Sequence, residues 1–335
     1  MSVDLARQAF LRGLFPNGVP RLWCPALTHF RAAKCPALER IQSHLSTIAP
    51  FVGGLLVPGS TGEGWEMGDA DIREVLTHVL DASDRFGLRV LIGVLKTNLD
   101  EMLDCIQSMN DLRGHPAVVG VTVCPPKGNG LSQDEIKSSL AKVLELGWPT
   151  ALYQLPQITQ NEMSPEIVAA LAADYPNFVL FKDTSGHDHV AKSQFPLGGV
   201  FLLRGSEQGG YVAWPKIAGG IYDGFLLSTA NVFADQFAQM LQCLDNGQLD
   251  RANAISEKLQ AIVGRAFALV AEFPIGNAFT NANKVLDHCL AFGSCAITRT
   301  PPMLYSGAIL PKEYIEQAVD LLTEYSLMPI KGYLE

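Results

Sequence analysis

Eight short apolar runs punctuate the first two-thirds of the chain, at residues 21–28, 51–59, 88–95, 118–124, 149–156, 177–183, 199–205 and 221–228. Several are rich in β-branched residues and lack the in-out alternation of a half-solvated sheet, so they read as parallel strands buried on both faces. Most are separated by segments with apolar residues three and four apart, such as 70–87 and 132–147. The second opens with Ser132 three residues before Glu135, a capping box. Strand then helix, eight times over, predicts an α/β fold of the (β/α)8 (TIM) barrel type. A doubly wound open sheet is permitted by the same alternation, and the count of eight favours the barrel. From about residue 232 no strand-like run appears. Residues 233–270 and 314–328 carry helical spacing around a proline-punctuated loop at 298–307, which predicts a C-terminal helical extension. The expected organisation is an N-terminal extension over 1–20, a catalytic barrel over 21–231 and the helical extension over 232–335.

A length of 335 residues suits a barrel with such an addition. Hydrophobic residues at 48% against 18% charged exclude a disordered chain, and a formal charge of −9 gives no basic footprint for nucleic acid or an anionic membrane. Small solutes are the expected partners. Seven cysteines, odd in number and without a C-x-x-C pair, predict free thiols in a reducing, cytoplasmic setting. No run approaches the roughly 18 apolar residues of a spanning helix, which predicts a soluble protein. The first 18 residues lack the continuous apolar core of a secretory signal. Their basic and apolar residues at helical spacing leave an organelle-targeting helix as a minor reading.

In a barrel the reacting groups stand where strands end and βα loops begin. The second run ends in Pro58-Gly59-Ser60-Thr61-Gly62-Glu63, a turn that can offer N–H groups and hydroxyls to a carboxylate, or simply cap a helix. The fifth run presents Tyr153 followed by Gln154-Leu155-Pro156, and a strand tyrosine is otherwise a core residue with its hydroxyl at the rim. The sixth ends in Phe181-Lys182-Asp183-Thr184-Ser185-Gly186. Desolvation there would favour the neutral amine, the nucleophile that condenses with a carbonyl; the alternative is a lysine reaching solvent or pairing with Asp183. His187-Asp188-His189 has no third ligand nearby in sequence and reads as a solvent-facing loop, so no metal site and no cofactor are expected.

The order GSTGE, Tyr-x-x-Pro, Lys-Asp-Thr-Ser-Gly resembles the dihydrodipicolinate synthase / N-acetylneuraminate lyase family. The resemblance extends from Pro25-Ala26-Leu27-Thr28 through Gly224 and Ser228-Thr229-Ala230-Asn231-Val232 into Lys284-Val285-Leu286 and Arg299-Thr300-Pro301-Pro302. It implies a metal-independent class I lyase in which Lys182 forms an imine with a 2-oxo acid such as pyruvate and Tyr153 shuttles the proton. Ser60 and Thr61 would bind the 2-oxo carboxylate, with Thr61 also relaying protons. Gly205-Ser206-Glu207-Gln208 aligns with a segment that contacts sugar hydroxyls, so Gly205, Glu207 and Gln208 become candidate substrate contacts. Two departures narrow the substrate. Gln157 and Ile158 follow Pro156 where the synthases carry an arginine for the second substrate's carboxylate, which argues against lysine biosynthesis. Cys124-Pro125-Pro126-Lys127 replaces a Pro-Tyr-Tyr motif whose second tyrosine completes a relay across subunits; Lys127 either stands near that position or is a solvated loop residue. The expected substrate is a 2-oxo-3-deoxy sugar acid or a hydroxy-oxo-dicarboxylate, handled by a homotetramer built from two dimers. A dehydratase using the same imine and a catalytically silent 2-oxo acid binder are the alternatives.

Overall fold

The computed structural model describes residues 2–335. Eight parallel strands close into a barrel: β1 (Leu22–Pro25), β2 (Gly54–Val57), β3 (Arg89–Val94), β4 (Val118–Val123), β5 (Thr150–Gln154), β6 (Phe178–Asp183), β7 (Phe201–Arg204) and β8 (Gly224–Leu226), with β8 pairing back onto β1. Each lies inside its apolar run and is shorter than it, because the flanking apolar residues pack as loop and strand-end positions without joining the ladder. The helix expected over 70–87 is Asp69–Phe86, stopped by Gly87 in the left-handed conformation. The second is Gln133–Glu145, where Ser132 and Glu135 make the reciprocal capping box.

The alternation is less regular than expected after β6. Only the short helix His189–Lys192 separates β6 from β7, and a single 3-10 turn, Lys216–Ala218, separates β7 from β8. A small antiparallel hairpin, Phe30–Ala32 with Cys35–Pro36, follows β1 and is too short to leave a sequence pattern. The helix Ala230–Asp245 packs on β1 and completes the eighth unit, so it straddles the expected boundary at 231/232. Helices Leu249–Leu269, Ala278–Phe292 and Lys312–Glu324 then form the extension.

The barrel interior is filled by Trp23, Leu56, Leu91, Val119, Ala151, Leu203 and Leu226, so it is a packed core and not a pore. Trp23 fits because β2 carries Gly54 beside it; a Cβ there would enter the indole ring. The floor is closed by the helix Val3–Leu14, whose Leu11 joins Phe15 in this interior cluster. Arg7 on that helix is fully buried, and its guanidinium donates to the carbonyls of Phe178 (2.8 Å), Gly198 (2.5 Å), Tyr175 (3.1 Å) and Ala172. The segment that could be read as a targeting helix is thus built into the base of the barrel. None of the seven cysteines is paired. Among the described residues no helix is long and apolar enough to cross a membrane.

Candidate active site

In the ladder between β5 and β6, Tyr153 lies directly beside Lys182. Side chains alternate along a strand, so both turn inward while their successors turn away. Asp183 accepts hydrogen bonds from the N–H (2.9 Å) and hydroxyl (2.6 Å) of Ser185 and forms no ion pair with Lys182. Lys182 is 4% exposed, which excludes a lysine reaching into solvent. Its Nζ stands 3.9 Å from the centre of the Tyr153 ring. Burial lowers the Lys182 pKa from 10.5 to about 7, against the opposing pull of Cys124, Glu207 and Cys24. The amine is therefore substantially neutral near pH 7. Burial pushes the Tyr153 phenol well up, opposed by the nearby hydroxyls of Ser60 and Thr184.

Thr184 was not foreseen. Its Oγ1 is buried with no partner that meets full hydrogen-bond geometry, a position that a substrate oxygen could fill. A buried polar residue two places after a buried lysine was the available signal, but threonine is too common at strand ends to stand out.

The turn after β2 is irregular, and the next helix waits until Asp69. The N–H groups of Gly62 and Gly64 bond to Gly59 O, and that of Glu63 to Ser60 O. Among the described residues the N–H groups of Ser60 and Thr61 have no acceptor. Two free amides with two adjacent hydroxyls make a concavity suited to a carboxylate. The turn is clamped from outside by the C-terminal extension. Thr280 donates its hydroxyl to Ser60 O (3.2 Å) and Thr61 O (3.1 Å), and Asn277 donates to Ser60 O (3.3 Å). Glu63, at φ 63°, is held in the left-handed region by a buried ion pair to Lys284 and by the N–H of Tyr305 (2.7 Å). The Ser60 hydroxyl also accepts from the Trp65 indole N–H at 2.8 Å.

Gly205 does a steric job. A Cβ there would overlap Thr184 Oγ1 and come within 2.9 Å of Lys182 Cε, so only glycine leaves room for the lysine. Glu207 is buried with its carboxylate surrounded by four donors: Ser228 Oγ (2.8 Å), Thr229 N (3.0 Å), Thr229 Oγ1 (2.9 Å) and Tyr211 OH (3.1 Å). Four donors fill about the four lone-pair sites a carboxylate offers, so a sugar hydroxyl would have to displace one of them. Burial raises the Glu207 pKa, with those donors opposing. Gln208, by contrast, is exposed.

A cavity of about 510 Å³ opens next to these groups, walled by Thr184 and Glu207, by Gln157, Gln208 and Gln260, and by Phe267 and Phe279. Its far wall comes from the extension, which single-strand motifs could not reveal. Lys127 is exposed on its loop, and its N–H bonds to Thr97 O at 2.8 Å. Lys96 pairs with Asp69 (2.8 Å), the first residue of the preceding helix. His187 and His189 are exposed, as a solvent-facing loop predicts, and folding brings Glu162 beside them from a distant part of the sequence.

These features define a (β/α)8 barrel with a buried amine, a phenol and an anion-suited turn at the carboxyl ends of its strands. The profile of the Dihydrodipicolinate synthetase family matches residues 36–287, and the chain belongs to that family. It is 24% identical over 255 residues to a 4-hydroxy-tetrahydrodipicolinate synthase of Methanococcus maripaludis, covering 75% of this chain and 84% of the relative. Among solved structures, a prophage family member from E. coli K12 in complex with pyruvate superposes with a TM-score of 0.74 at 21% identity, covering 92% and 99% of the two chains. A variant of the 2-keto-3-deoxygluconate aldolase of Sulfolobus solfataricus, in complex with L-2-keto, 3-deoxy-galactonate, gives 0.71 at 18% identity, covering 92% and 96%. At these identities the superpositions speak for the fold.

Proposed function

We propose that the protein is a class I lyase of the aldolase type, in which Lys182 forms an imine with C2 of a 2-oxo acid. The observation that carries this reading is the buried Lys182 amine, lowered to about 7 and stacked against Tyr153. Ser60 and Thr61 take the substrate carboxylate. The neutral amine adds to the carbonyl, and Tyr153 gives its proton to the departing hydroxide so that water leaves. The phenolate so formed is paired with the iminium, which offsets the burial that otherwise resists ionisation. It then accepts the proton of the C4 hydroxyl as the C3–C4 bond breaks. The bond electrons flow into the iminium, giving a neutral enamine and a free aldehyde. Protonation at C3 and hydrolysis release pyruvate and restore the amine.

The cavity favours one of the two substrate classes. Among the described residues no lysine or arginine lines it, while three amides and several hydroxyls do. A second carboxylate would enter without a counter-charge, so the aldehyde half is uncharged and hydroxylated, as in a 2-oxo-3-deoxy sugar acid. Gln157 and Gln208 are its polar contacts, and Glu207 serves as the fixed anion beside the amine. Family likeness also supports a tetramer of two dimers, with the exposed Lys127 loop at a seam.

The test offers the protein a 2-oxo-3-deoxy sugar acid and a hydroxy-oxo-dicarboxylate and measures products. Pyruvate plus a neutral aldehyde from the sugar acid, with at least about tenfold lower kcat/KM for the dicarboxylate, is expected. A dehydrated product without aldehyde would favour the dehydratase, and preference for the dicarboxylate would overturn the substrate assignment.

A further inference from the structure

Two loops on the rim of the barrel mouth bring together three metal-ligating side chains that the imine chemistry does not use. Glu162 comes from the connection after β5, His187 from the loop after β6, and His189 opens the short helix that follows it. His187 presents Nδ1 to Oε1 of Glu162 at 2.5 Å, and His189 presents Nδ1 to Oε2 at 3.4 Å. The two imidazoles stack at 5.3 Å with 21° between their planes, so both offer the same nitrogen to one carboxylate. All three ligand atoms lie within 4.8 Å of one another. Asp188, between the histidines, is buried and fixed by Arg204 (3.1 Å) and Tyr222 (2.7 Å), which anchors the loop while leaving the histidines outside.

From this arrangement we infer that Glu162, His187 and His189 bind one divalent transition-metal ion of the zinc class. Two neutral imidazoles and a carboxylate are a donor set that such borderline cations prefer over magnesium or calcium, and three protein ligands leave a fourth position for water. The histidine side chains are 60% and 63% exposed, so they can rotate to reach ligand bonds of ~2.0–2.2 Å without disturbing the core. Lys192 donates to the His187 carbonyl at 3.0 Å and pairs with Asp188, not with Glu162. A second trio, His29, His44 and Asp287, is buried beneath the extension, but it is already neutralised. Arg40 contacts Asp287 at 2.5 Å and Tyr333 donates to it at 2.7 Å, so a cation there would face a guanidinium. The rim site has no such competitor. An ion bound there would tie the β5 loop carrying Gln157 to the β6 loop carrying Thr184 and Ser185, both of which wall the cavity.

The site stands independently of the proposed reaction, and its test reads the ion itself. Protein without a polyhistidine tag is stripped with chelator, then titrated with Co2+ and, separately, with Zn2+ in equilibrium dialysis. One ion per chain is expected, with visible Co2+ absorption bands of a low-coordinate nitrogen and oxygen site. The double variant His187→Ala/His189→Ala should lose that ion while keeping the circular dichroism of the parent. Glu162→Gln should weaken it by at least the ~10-fold seen when a metal site's supporting groups are removed. Uptake that never saturates at one equivalent, or one equivalent bound equally by the double variant, overturns the assignment.

Discussion

At the residue scale the decisive quantity is the charge on Lys182. Below about 7 its amine is protonated and cannot attack; above that it is neutral. The rate of imine formation with pyruvate should therefore rise with pH through about 7 and level off, and a profile that stays flat or falls there would contradict the burial argument. The same shift has a consequence for stability. An unfolded lysine keeps its proton up to 10.5, so between about 7 and 10.5 the unfolded state binds more protons. This group's contribution to stability accordingly increases with pH across that window. Gly205 gives a second handle. Gly205→Ala drives a methyl into Thr184 and the lysine stem, and strain of ~1–3 kcal/mol is the usual cost of such overpacking. The expected result is a lower melting temperature together with slower imine formation. Unchanged values for both would mean that the lysine does not need this space.

Among the elements, the clearest dependence links the turn after β2 to the extension. Glu63 and Lys284 are both buried and paired with each other, so removing one strips the other of its directly bonded opposite charge. Lys284→Met should cost about 3–5 kcal/mol in denaturant unfolding, while Glu63→Gln combined with Lys284→Met should recover part of that loss. A fully additive pair would show that no such coupling exists. Because Thr280 and Asn277 hold the carbonyls of Ser60 and Thr61, the single variant should also weaken pyruvate binding. The eight strands were legible because parallel strands buried on both faces leave continuous apolar runs, and Ser132 with Glu135 announced a helix start by itself. Less visible were the thin crossings around His189–Lys192 and Lys216–Ala218, since a single short turn of helix leaves no periodic pattern. The sequence put Tyr153 on the fifth run and Lys182 on the sixth, and that the two share a ladder position comes from strand register. Sequence order could not show Thr184 as an unpartnered hydroxyl, Glu207 with its lone pairs filled, or Glu162 beside two histidines, because each depends on loops meeting in space.

On the scale of the whole molecule the barrel is closed below and walled above by the two ends of the chain. The helix carrying Arg7 seals the floor by satisfying four carbonyls, while the extension supplies Gln260, Phe267 and Phe279 to the cavity and Lys284 to the turn. Composition and charge pointed to a small-solute partner, but the chemistry of the cavity wall came only from packing the extension against the mouth. All of it converges on one nitrogen. Incubation with pyruvate and borohydride, followed by peptide mass mapping, should find a reduced pyruvyl adduct on Lys182 and on no other lysine. Lys182→Ala should abolish it. An unmodified Lys182, or an adduct that survives that substitution, would contradict the imine chemistry at its root.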